Sequence, residues 1–178
     1  MKIAILTNGL VQDYLFYQDK IKEYDFIICA DGGLKHAFNM GLTPHIAIGD
    51  FDSTPANIID HYQSLQCKFV QHPSIKDETD TEIALTYAIE KNPKAIDILA
   101  GLGDRFDHSL ANVHLLQKGL EHNITITIIT ENNEVSLINK SIQIKGEIGQ
   151  GISLLPLSES VRGIDTIGLA YPITHGTF

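Results

Sequence analysis

Short apolar runs rich in β-branched residues recur along the first two thirds of the chain, at Lys2–Leu6, Phe26–Ala30, Ile46–Ile48, Lys68–Val70 and Ile96–Ala100. Each is strand-length and shows no clean alternation, the signature of a strand covered on both faces. Between them lie segments with helical spacing of apolar positions: Val11–Lys22, Leu34–Met40, Pro55–Leu65, Thr81–Lys91 and His108–His122. Strand and helix in strict alternation predict a parallel sheet with helices on both sides, a three-layer α/β domain. Near Asn123 the rhythm changes. Ile124–Thr130 alternates with period two, and short strand-like stretches follow at Val135–Ile138, Ile142–Lys145, Ile152–Leu155 and Ser160–Ile164, broken by Asn, Gly and Lys turns. The pattern predicts an α/β domain over 1–123 and a small all-β sandwich over 124–178, closely joined because no Pro/Gly/Ser-rich linker separates them.

Composition narrows the functional classes. The formal net charge of −9 argues against a nucleic-acid partner, which needs a basic surface. No apolar run approaches the ~18 residues of a membrane span, and the amino-terminal run Met1–Thr7 is too short for a signal peptide. Cys29 and Cys67 read as reduced thiols, so a cytoplasmic protein is expected.

Much of the acidity is local. Asp50 and Asp52 in Gly49-Asp50-Phe51-Asp52-Ser53, Asp77, Glu78 and Asp80 in Lys76–Glu82, and Asp104 and Asp107 in Gly103–His108 all follow predicted strands. Ligands of open parallel sheets bind beyond the carboxyl ends of the strands, and that is where these clusters fall. Gathered carboxylates repel one another, and divalent cations with a polyphosphate offset that cost. Asp50 and Asp52, two apart, point the same way if extended and can share a cation. A plainer role for Asp52 or Ser53 is capping the helix near Pro55. Thr79-x-x-Glu82 is a capping box, although it leaves Asp77, Glu78 and Asp80 unexplained.

Asp31-Gly32-Gly33 follows the second strand and opens a helix. Paired glycines there let backbone approach a phosphate, or they make a simple turn with Asp31 as N-cap. Arg105 suits an anionic ligand, its alternative being a salt bridge to a neighbouring Asp. Asp107 is a plausible N-cap, and His108 and Asn112 share one face of the helix that follows. No P-loop and no G-x-S-x-G elbow occurs.

Asp-Gly-Gly, then G-D-F-D-S, K-D-x-T-D-x-E and G-x-R-F-D-H-x-x-A-N, in this order over Ala30 to Asn112, resembles the thiamine pyrophosphokinase family. The β-rich tail with Gly168–Pro172 fits that family's second domain. The resemblance implies Mg²⁺-dependent transfer of pyrophosphate from ATP to the thiamine hydroxyl with release of AMP. It also implies a homodimer with the active site between subunits, the β-rich domain serving thiamine binding and dimerisation. Asp50, Asp52 and Asp80 match the acids that bind Mg²⁺ and carry catalysis. Asp31, Arg105, Asp107 and Asn112 match nucleotide contacts, with Gly32, Gly33, Ser53, Asp77 and His108 beside them. Asp104 stands where the family more often has glycine. The family continues past the Tyr-Pro turn with a Ser-Asn segment lining the thiamine pocket, so the chain reads as shortened at its carboxyl end.

Three other readings use the same acids. An AMP-forming pyrophosphokinase for a hydroxymethylpterin differs only in its acceptor pocket. A Mg²⁺-dependent nucleotide phosphohydrolase would use water as nucleophile, and a non-catalytic Mg-nucleotide sensor would bind ATP without forming AMP.

Overall fold

A computed structural model describes all residues from Met1 to Phe178. The chain forms two compact units, Met1–Ser141 and Ile142–Phe178.

The first unit is built on a seven-stranded sheet. Its strands are β1 (Lys2–Leu6), β2 (Phe26–Ala30), β3 (Ile46–Gly49), β4 (Lys68–Gln71), β5 (Ala95–Leu99), β6 (Thr125–Ile129) and β7 (Glu134–Ser136), in the spatial order β4-β3-β2-β1-β5-β6-β7. The first six run parallel, and only β7 returns antiparallel on β6. The helices are α1 (Tyr14–Lys20), α2 (Gly33–Asn39), α3 (Ala56–Ser64), α4 (Asp80–Ile89), α5 (Phe106–Leu115) and α6 (Gln117–His122). Alternate residues of each strand feed separate cores on the two faces. Ala4, Leu6, Cys29 and Ala47 pack with Tyr17, Leu34 and Tyr62 of α1–α3. Ile3, Ile5, Ile28, Ile46, Ile96 and Ile98 pack with Leu85, Ala88 and Leu115 of α4 and α5. Burial on both faces explains why these strands read as continuous apolar runs. Each fully buried isoleucine stabilises the fold by roughly 1.5–3 kcal/mol.

The predicted α/β class holds, but two expectations require correction. The expected boundary after Asn123 moves, because β6 and β7 complete the main sheet and the first compact unit runs to Ser141. Period-two alternation in β6 does not mark an exposed face: Thr127 is buried and meets Ser136 across the β6–β7 pair (3.1 Å), while Ile126 and Ile128 enter the core. The second correction concerns the tail. Instead of a sandwich, it holds one two-stranded antiparallel sheet of β8 (Arg162–Ile164) and β9 (Gly176–Thr177). The stretches Ile142–Lys145 and Ile152–Leu155 pair with nothing, and Ile148, Leu155, Ile167 and Tyr171 stand exposed. Two strands cannot enclose a core, which requires at least a third strand or a helix.

The helical prediction over His108–His122 divides at Leu116, and α5 begins earlier, at Phe106. Chain order also fixes where a ligand can enter. The strands β1 to β4 step outward in one direction and the chain then returns to β5 beside β1. The loops therefore diverge above β1 and β5, leaving a crevice at their carboxyl ends.

Candidate active site

Three loops at the carboxyl edge carry left-handed residues: Asp31 after β2, Phe51 after β3 and Ala100 after β5. Asp adopts this geometry readily, but Phe and Ala do so only when the surroundings enforce it, and such residues cluster at functional sites. Phe51 is held by burial and by an edge contact with the Phe69 ring, 5.2 Å between centroids. Its immobilisation aims the flanking Asp50 and Asp52 outward.

Carboxylate oxygens of Asp31, Asp50 and Asp52 lie within 4.8 Å of one another. Ser53 Oγ donates to Asp31 Oδ2 (2.5 Å), and the Asp52 N–H donates to Asp50 Oδ1 (3.1 Å). The other oxygen of Asp31, Oδ1, is buried with no hydrogen-bond partner in the chain. A buried carboxylate oxygen without a donor is costly, and a cation supplies what it lacks. Repulsion shapes the titration. Asp50, with Asp31 and Asp80 contributing, pushes Asp52 above the usual carboxylate range. Asp50 is held below it, chiefly by the backbone N–H of Asp52, with help from Ser74 and Lys76.

Of the acids expected to hold metal, Asp50 and Asp52 converge with Asp31, and Asp80 lies near them with its Oδ1 2.9 Å from Lys76 Nζ. Sequence reasoning left Lys76 without a role; its i,i+4 spacing from Asp80 across the helix start was the signal available. Thr79 caps α4 as the capping box predicts, accepting from the Glu82 N–H (3.2 Å), and this fixes the backbone beside Asp80. Asp77 and Glu78 lie in the exposed loop before it. Neither Asp52 nor Ser53 caps α3, whose N-cap is Pro55 without any side-chain bond, so both are left for other use.

The two glycines after Asp31 serve the chain itself. A Cβ on Gly33 would stand 2.1 Å from the Leu6 carbonyl oxygen, and one on Gly32 would stand 2.5 Å from the Asn8 side chain. They let α2 close against the end of β1.

On the other side of the crevice Arg105 donates to Asp107 Oδ2 (2.6 Å) and Oδ1 (3.3 Å), both side chains being well exposed. This pair holds Asp107 below the usual carboxylate range. The N-cap of α5 is Arg105, not Asp107, and it forms no side-chain cap bond. His108 lies exposed in the first turn. Asn112, expected to meet nucleotide, is buried, and its amide donates to the Gly101 carbonyl (2.7 Å). Ser109 braces the same loop unpredicted: its hydroxyl accepts from the Gly103 N–H (3.0 Å) and lies 3.1 Å from the Arg105 carbonyl. A serine three residues inside a helix carries no sequence signal for that task.

The family described as "Thiamin pyrophosphokinase, catalytic domain" matches residues 17–128. The chain is 32% identical over 179 residues to thiamine pyrophosphokinase of Bacillus subtilis (strain 168), covering 97% of this chain and 82% of that protein. It is 26% identical over 175 residues to thiamine pyrophosphokinase 1 of Oryza sativa subsp. japonica, covering 83% of this chain and 65% of that one. Among solved structures, the Bacillus subtilis thiamine pyrophosphokinase superposes with a TM-score of 0.87 at 30% identity, covering 99% of this chain and 84% of that one. The thiamin pyrophosphokinase of Geobacillus thermodenitrificans superposes with a TM-score of 0.74 at 26% identity, covering 100% and 83%.

Proposed function

Because the chain belongs to the thiamine pyrophosphokinase family, we propose that it transfers a pyrophosphoryl group from ATP to the hydroxyl of thiamine, giving thiamine diphosphate and AMP. The observation that carries this reading is the convergence of Asp31, Asp50 and Asp52 around a buried, partnerless carboxylate oxygen. An all-oxygen set of this kind suits a hard divalent cation, and Mg²⁺ is commonly held by one or two carboxylates together with phosphate oxygens. When bound, it would neutralise charge on the phosphates and orient them for in-line attack.

The chain's own groups do the rest. Asp31, Asp50 and Asp52 would hold the cation, with Ser53 fixing the orientation of Asp31. Lys76, balanced between Asp80 and the negative field of Asp50, offers a cation to the phosphates. Arg105 is exposed, and an exposed ion pair is weak, so its fork can exchange Asp107 for phosphate oxygens without a large cost. Asn112 and Ser109 hold the loop that presents Arg105.

In this reading the unit Ile142–Phe178 contributes to thiamine binding and to pairing of two subunits, and the enzyme works in the cytoplasm. Its exposed Ile148, Leu155, Ile167 and Tyr171 support an association role, because such side chains gain most from cover. No helix is long and apolar enough to cross a membrane.

Incubation with ATP and Mg²⁺, with and without thiamine, tests the assignment by the AMP formed. Thiamine-dependent AMP is the expected result. Hydrolysis that ignores thiamine would instead identify a nucleotide phosphohydrolase, and binding without AMP a sensor. Sedimentation of the same preparation reports the dimer.

A further inference from the structure

His36 stands within α2, half-buried, with both ring nitrogens bonded. Nε2 lies 3.0 Å from the Gly9 carbonyl oxygen, which can only accept, so Nε2 carries the hydrogen. Nδ1 lies 2.9 Å from the Tyr14 hydroxyl and, in the neutral ring, accepts from it. The Asn39 amide donates in turn to the Tyr14 oxygen (2.8 Å), which leaves the phenolic hydrogen free for His36. One tautomer satisfies the whole chain. Burial pushes the ring below the ordinary histidine value and Lys35 adds to this; the Gly9 carbonyl and the Glu131 carboxylate oppose it without reversing it. The ring is neutral at neutral pH.

The ends of this chain belong to opposite halves of the site. On the acid side, the Leu34 and Lys35 N–H groups donate to the Asp31 and Gly32 carbonyls (3.1 and 3.0 Å), so α2 is stitched to the turn that carries Asp31. On the other side, Gly9 turns its own N–H to the Ala100 carbonyl, and Leu10 turns its N–H to that of Leu102 (both 3.0 Å). The loop from Gly101 runs on directly to Arg105. Leu10, Leu102 and Asp104 border one cleft of about 220 Å³. Gly9 is thus held by its N–H to the arginine side and by its carbonyl to α2.

We propose that His36 is a positioning residue for the transfer: through Gly9 it fixes the spacing between the acids that follow β2 and β3 and the loop that presents Arg105. The proposal rests on the reading of this crevice as the site of pyrophosphoryl transfer. A triphosphate held by a cation on one side and a guanidinium on the other is in line for attack only when the two stand a set distance apart. Backbone bonds tie the Gly9 loop to the arginine side, and the imidazole supplies the tie to the acid side. Both ring nitrogens are spent on Gly9 and Tyr14, so His36 acts on the site through the loop and not on the reactants.

The test sets His36→Asn against His36→Gln. The shorter amide reaches as far as Nδ1 and keeps Tyr14 but loses Gly9, whereas glutamine places its N–H₂ where Nε2 stands. His36→Asn is expected to lower kcat for thiamine-dependent AMP formation roughly tenfold to a hundredfold, the cost of a small misplacement of reacting groups. KM for ATP and for thiamine should stay within about twofold, and His36→Gln should recover most of the rate. In ¹H–¹⁵N spectra the amides of Gly101 to Arg105 are expected to shift in His36→Asn and to stay in place in His36→Gln. Long-range ¹⁵N correlations of the wild-type ring are expected to show the neutral form protonated at Nε2. Wild-type kcat in His36→Asn, equal losses in both variants, or amide shifts that stop at Gly9 would overturn the proposal. So would a ring protonated at Nδ1, or a His36→Asn chain that no longer folds, which would assign the histidine to stability alone. The spectra are read without turnover, so a wild-type protein that forms no AMP from ATP and thiamine would count against the reaction, and the amide shifts would still decide the tie through Gly9.

Discussion

At the ends of β2 and β3 the chain gathers carboxylates that repel one another and leaves Asp31 Oδ1 buried without a hydrogen-bond partner. At the ends of β1, β5 and β6 it does the reverse. Polar groups there are spent on each other: Thr7 Oγ donates to the Ala100 carbonyl (2.5 Å), Asn112 to Gly101, and Glu131 collects three donors from the β1–α1 segment. One side stores electrostatic cost that a cation would relieve; on the other, polar groups hold one another in place. The difference separates groups kept for chemistry from groups that hold shape, although both sides lie on one sheet edge.

If that distinction is right, removing groups on the two sides must have opposite consequences. The largest expected effect is on turnover. Asp50→Asn should lower thiamine-dependent AMP formation on the order of a thousandfold, with an unfolding midpoint no lower than wild type. Near-normal turnover in this variant would remove the acids from the mechanism.

On the stitched side the expected loss is of stability. A Cβ at Gly9 would stand 2.1 Å from the Ala100 carbonyl oxygen and 2.4 Å from that of Leu102. Gly9→Val should therefore cost roughly 2–3 kcal/mol, read from denaturant midpoints. Glu131→Gln should cost less, about 1 kcal/mol, and its signature lies in pH. Burial works to raise Glu131, but the N–H groups of Asp13 and Gln12 and the Tyr17 hydroxyl overcome it and hold the carboxyl below the usual range. A depressed acid stabilises the fold above its unfolded value and loses that stabilisation as pH falls through the folded one. The gap between wild type and Glu131→Gln should close on acidification.

Asp52→Asn gives the smallest effect and the opposite sign. Repulsion from Asp50 raises Asp52, so its charged form disfavours the cation-free fold at neutral pH. Without divalent cation the variant should melt slightly above wild type at neutral pH, and this advantage should vanish in acid, where Asp52 is protonated in both states. A variant that melts lower at neutral pH would show that Asp52 belongs with the structural groups.

The unit Ile142–Phe178 shows where apolar content and β-propensity stop being informative. Ile142–Lys145 and Ile152–Leu155 have the composition of strands, yet neither forms one. A strand exists only when a partner offers its edge, and no local pattern states whether the partner is present. The same limit misplaced β6, whose alternation suggested a half-exposed strand of another domain while its register with β5 makes it part of the first sheet.

The chain's own order of residues determined a great deal. Continuous apolar runs between helical periods require a parallel sheet buried on both faces, and acids placed directly after those runs must emerge at its carboxyl edge. Fold class, the edge used and the acids Asp50, Asp52 and Asp80 as candidates were legible for that reason, since each depends on local pattern and a topological rule. What only the tertiary structure decided is how those residues divide their work. Asp80 lies against Lys76, Asp31 converges with Asp50 and Asp52, Asn112 holds a loop, and Gly33 makes room for Leu6. Leu10, Asp104 and Asn133, far apart in sequence, come to border one cleft. These outcomes depend on distances between segments that the strand order sets, and a carboxylate or an amide reads the same in sequence whether its partner is a neighbour, a cation or a ligand.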